Sequence, residues 1–119
     1  MRTKVIEVNG EEYTLTAKRN IIMKLNEICP EAILLQTGKI KSLSDEEEAV
    51  ASIRLSANMD ILFYDMIKIA HPELSKEESD EIYECLVDEY DDVVESLLKF
   101  IKSVFTGGIP KENKKKLNW

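Results

Sequence analysis

The stretch SDEEEAVASIRLSANMDILFYDMIKIAHP, residues 44–72, decides the fold. Its opening Ser44-Asp45-Glu46-Glu47 has the capping-box form, in which a hydroxyl accepts a bond from an early backbone N–H of a helix and a glutamate side chain returns one. The acidic run Asp45 to Glu48 complements the positive helix N-terminus. Beyond it, Val50, Ile53, Ala57, Ile61 and Tyr64 recur at helical steps, and Met59, Leu62, Phe63, Met66, Ile67 and Ala70 supply further apolar positions. Only a narrow polar stripe of Asp60, Asp65 and Lys68 remains in the second half, so a helix over 45–71 is expected to be central and covered on most sides. His71-Pro72 ends it, and His71 reads as a helix C-terminal side chain suited to the macrodipole.

Upstream, TKVIEVNGEEYTLT sets Asn9-Gly10 between two runs rich in β-branched and aromatic residues. A type I′ turn needs φ > 0 at both central residues, and this pair tolerates it, so a hairpin is expected over 3–16. A lone hairpin is marginal, so its apolar side, Ile6, Val8, Tyr13 and Leu15, must rest on the helices that follow. Thr16 is the expected N-cap of a helix over about 17–28, with Ile21, Ile22, Leu25 and Ile28 as its buried stripe. Pro30 stops that helix near Cys29, Glu31 to Gln36 suits a further short turn, and TGKIKSL over 37–43 reads as the main internal loop.

Downstream, Ser75 and Glu78 repeat the capping box, and helical spacing runs on from Ile82 to Val104. This predicts helix over about 76–106, either continuous or broken near Asp91-Asp92. Gly107-Gly108 supplies a C-cap, and a basic tail over 109–119 is expected to be disordered. The fold class is therefore mainly α with an N-terminal β-hairpin, a small helical bundle packed on that hairpin in one globular domain over 1–108.

The 119 residues are 44% hydrophobic and 33% charged, enough apolar matter for one core. The net charge of −7 opposes nucleic-acid binding, and the longest apolar runs are too short for a spanning helix. No signal-peptide core opens the chain, which points to the cytoplasm, where Cys29 and Cys85 are expected as free thiols. No phosphate-binding glycine loop, nucleophile elbow or metal-ligand cluster is encoded, so neither enzymatic activity nor a cofactor is expected. The paired carboxylates Asp60 and Asp65 read as solvated helix charges.

Between Glu73 and Glu95 stand eleven acidic residues against one lysine, a local charge of −10. Such a run is a solvated helix face or a surface for a basic partner. The candidate partner site combines apolar groove residues Met59, Phe63, Met66 and Ile67 with acidic rim residues Glu84, Asp88, Asp91 and Asp92. A homo-oligomer is also compatible with the sequence. An acidic regulator or DNA mimic occupying a basic site is the alternative, although Ile82, Leu86, Val93 and Val94 claim part of the same stretch as core.

Two motifs carry a family resemblance. Ile6 to Leu15 has the pattern I-x-x-N-G-x-x-Y-x-L, and Leu62 to Glu78 has L-x-Y-x-x-I-x-x-x-H-P-x-L-S-x-E-E. Together with the order of elements over residues 3–106, this resembles the small tail assembly chaperones of long-tailed bacteriophages and prophages of Gram-positive hosts. The resemblance implies a non-enzymatic protein of virion morphogenesis that holds the tape measure protein soluble and helps recruit tail tube subunits. It transfers no residue-level site. It also implies that Lys114-Lys115-Lys116 is where a slippery codon run for a frameshifted longer form would fall.

Overall fold

In the computed structural model, which describes residues 1–107, Asn9 and Gly10 take φ of 53° and 80°. These are the values that a type I′ turn demands, and the turn joins β1 (Arg2–Val8) to β2 (Glu11–Ala17) in an antiparallel pair. The register sets Ile6 opposite Tyr13 and Val8 opposite Glu11, so Ile6, Val8, Tyr13, Leu15 and Ala17 share one face. That face is the packed one, with Leu15 and Ala17 fully buried. Five helices follow: α1 (Arg19–Ile28), α2 (Pro30–Thr37), α3 (Asp45–Ile67), α4 (Lys76–Glu89) and α5 (Val93–Gly107).

Pairing outlasts the expected strand end. Ala17 is still paired with Arg2, so Thr16 is a buried strand residue and not a cap; Lys18 takes the cap position of α1 without a side-chain bond. Cys29 breaks the helix as Pro30 requires, and Pro30 then serves as the first residue of α2. At the other end of α2, Gly38 closes the helix in the left-handed region at φ 78°. Cys29 is buried and Cys85 half-buried, both as free thiols, and burial pushes the Cys29 thiol upward, which leaves it poorly nucleophilic.

Both capping boxes form, Ser44 with Glu47 and Ser75 with Glu78. Of the two arrangements open for 76–106, the broken one forms: Tyr90 is extended, at φ −126° and ψ 144°, and the Asp92 carbonyl opens α5 by accepting the Ser96 N–H at 2.9 Å. Asp91 and Asp92 favour this break because their short polar side chains serve a helix end better than an interior. The tail over 109–119 lies outside the described residues.

α3 is central, packing on β2, α1, α4 and α5. Met59, Leu62, Phe63, Met66 and Ile67 on α3 are wholly buried with Leu15, Ile21, Leu25 and Ile101, and Phe63 lies 5.3 Å from the Tyr83 ring. Asp65 pairs with Lys24 and Lys68, Asp60 with Lys76 at 3.0 Å, and Arg54 with Glu31 at 2.9 Å. Asp60 and Asp65 are thus ion-paired ties between elements, not merely solvated charges.

α3 ends at Ile67, four residues before His71, so the histidine does not cap the helix dipole. Its Nε2 instead accepts the Thr14 N–H at 3.0 Å, and its ring meets Tyr13 edge-on at 5.6 Å. Counting outward from the Val8–Glu11 pair, Thr14 has a non-hydrogen-bonded position, its N–H turned to the free edge of β2. His71 covers that edge. His71→Ala leaves the N–H without its acceptor and is expected to cost about 1–3 kcal/mol in denaturant unfolding, while a glutamine there, able to accept, recovers part of the loss.

Ser79 is the reverse case: its hydroxyl is wholly buried without a hydrogen-bond partner on α4. Ser79→Ala removes that unpaired group and improves helix propensity, so a gain of about 1 kcal/mol is expected in the same measurement.

Two carboxyls sit below the usual range, Glu31 through its bond to the Arg54 guanidinium and Glu47 through the Ser44 backbone N–H and hydroxyl. A depressed folded-state pKa gives stability that is present above the unfolded value, near about 4.3, and is lost as pH falls through the folded one. A Glu31→Gln, Glu47→Gln variant should therefore melt below the wild type at pH 7, with the gap closing towards pH 3.

Candidate docking groove

The elbow between α4 and α5 leaves Tyr90 half exposed and turns Val87 outward, while Val94 and Leu98 are only half covered on α5. Across from them α3 presents the small side chains of Ser52 and Ser56, and the result is an open groove of about 560 Å³. Its floor is Leu55, Val87, Val93, Val94 and Leu98, and Asp91, Asp92 and Glu95 stand along it with no basic residue in the lining. Tyr90 separates it from a smaller hollow of about 290 Å³ against β1, and the Tyr90 hydroxyl donates to the Glu7 carbonyl at 3.4 Å. An apolar floor under carboxylates suits a helix with an apolar stripe and flanking lysines or arginines.

The expected site residues divide. Asp91 and Asp92 line this groove. Glu84 and Asp88 are exposed one turn apart on α4 but lie outside the lining. Met59, Phe63, Met66 and Ile67 require correction: each is 0% exposed and forms the centre of the core, so none offers a surface to a partner. The apolar surface missed on α3 is the other set, Val50, Ile53 and Ile61, at 52%, 70% and 37% exposure. A helical wheel holds the clue, because at 100° per residue the two sets centre about 140° apart, so both cannot face the core.

No group of three or more histidine, cysteine or carboxylate side chains converges on a metal position among the described residues. Nor is any helix among them long and apolar enough to cross a membrane. No family model, curated protein or solved structure matches the chain.

Proposed function

We propose that this chain is a non-enzymatic tail assembly chaperone of a long-tailed phage or prophage, acting in the host cytoplasm. It binds amphipathic helical segments of the tape measure protein, keeps them soluble and helps bring tail tube subunits onto them. The observation that carries the reading is the groove at the α4–α5 elbow, apolar in its floor and acidic along its length. A long coiled-coil-prone chain exposes apolar stripes that aggregate, and a small acidic binder covers them while its negative charge keeps the complex dispersed. The hairpin and His-Pro motifs, Ile6 to Leu15 and Leu62 to Glu78, support the family through resemblance.

Coexpression with the longest coiled-coil-rich reading frame encoded just downstream tests the proposal. A soluble complex of fixed stoichiometry is expected; an insoluble or unbound product beside folded chaperone would contradict it. A second reading, an acidic regulator or DNA mimic, draws on the exposed ladder of Glu77, Glu81, Glu84 and Asp88 on the outer side of α4. Competition with duplex DNA for a basic partner would favour it.

A further inference from the structure

The outer side of α3 carries apolar side chains spaced symmetrically about Ala57, with opposite charges at the two ends. Ile53 and Ile61 are each four residues from Ala57, Val50 and Tyr64 each seven, and Glu46 and Lys68 each eleven. The steps of 4, 3, 4, 4, 3 and 4 average about 3.7 residues, so all seven positions share one face along roughly 33 Å of helix. This face points away from the core: Ile53 is 70% exposed, Val50 52%, and Ala57 is exposed at its middle. It is separate from the groove, which α3 borders through Ser52, Leu55 and Ser56.

We infer that two copies of this chain pair through antiparallel α3 helices, crossing at Ala57. A two-fold axis there sets Ile53 against the partner's Ile61, Val50 against the partner's Tyr64, and Glu46 against the partner's Lys68. The small side chain at the crossing lets the helices approach closely. A parallel pairing sets Glu46 on Glu46 and Lys68 on Lys68, so charge chooses the antiparallel one. The charges flanking the stripe are already matched within the chain, Arg54 by Glu31 at 2.9 Å and Asp60 by Lys76 at 3.0 Å. Lys68 lies 5.0 Å from the centre of the Tyr64 ring and shares Asp65 with Lys24, so its charge is only partly spent. One helix face covers less than the roughly 800 Å² per partner of a standard interface, so the dimer is a weak one that forms at micromolar concentrations.

Sedimentation equilibrium from about 1 to 200 μM, with circular dichroism to verify folding, tests the pairing through charge exchange. Glu46→Lys or Lys68→Glu alone sets like charges together at both ends of the interface and is expected to weaken dimerisation about tenfold. The double exchange restores it. Oxidation of Ala57→Cys is expected to yield a disulfide-linked dimer, while Asn20→Cys, exposed on α1, and the wild type yield none. A chain monomeric at 200 μM, a double exchange no tighter than the singles, or equal cross-linking at positions 20 and 57 would each overturn the inference. The tape measure reading is judged apart from this, since Ile53→Asp abolishes the pairing and leaves the groove residues in place.

Discussion

Phe63→Ala should lower the unfolding free energy by about 3–5 kcal/mol, the range for emptying an aromatic site in a core. The ring is wholly buried on the inner face of α3 and tilts 49° against Tyr83, so truncation leaves a cavity bordered by α4. Domains of this size have about 5–15 kcal/mol in all, which makes this loss a large fraction of the total. Urea unfolding followed by circular dichroism measures it. The same substitution discriminates between two placements of the α3 aromatics. Were Phe63 in an exposed groove, its loss would shift stability by no more than about 0.5 kcal/mol and would act on partner binding instead.

The second large effect is on association. Asp91→Asn, Asp92→Asn and Glu95→Gln together remove three negative charges from the groove and leave the shape of each side chain nearly unchanged. Asparagine is as good a helix cap as aspartate, so the start of α5 at Asp92 survives the exchange. Carboxylates that steer a basic helix act mainly on the encounter rate. Binding to a basic amphipathic peptide from the proposed tape measure partner is therefore expected to slow about tenfold at low salt, with a much flatter dependence on ionic strength. Stopped-flow mixing at several salt concentrations reads both. An unchanged rate with an unchanged salt slope would remove these residues from the interface. Glu84→Gln with Asp88→Asn is the companion variant, and as the pair lies outside the groove lining a smaller change is expected.

Local chemistry made much of this fold legible before the structure. Asn9-Gly10 announces its turn because few other residue pairs tolerate two positive φ values, and Ser44 and Ser75 announce their helices because each has its glutamate three residues on. What failed to show were features set by distant partners. Thr16 looks like a helix cap until Arg2, at the far end of the hairpin, holds the neighbouring Ala17 in a strand. His71 looks like a helix terminus until the free edge of β2 supplies the Thr14 N–H, 57 positions away. The candidate groove residues failed for a related reason. α3 has two apolar sides, and the richer one, Met59, Phe63, Met66 and Ile67, suits core and groove alike by composition, yet has the most to gain from burial and takes the core. Asp91 and Asp92 read as a helix break because short polar side chains suit a helix end, and the groove they line opens where α4 and α5 part.

Hydrogen–deuterium exchange on a purified complex with the proposed tape measure partner tests the central claim most directly. Protection on binding should concentrate in the segments that line the groove, around Ser52 to Ser56 and from Val87 to Leu98, leaving the outer ladder of α4 as in the free protein. Protection confined to that ladder, or no change at the elbow in a complex that does form, would contradict it.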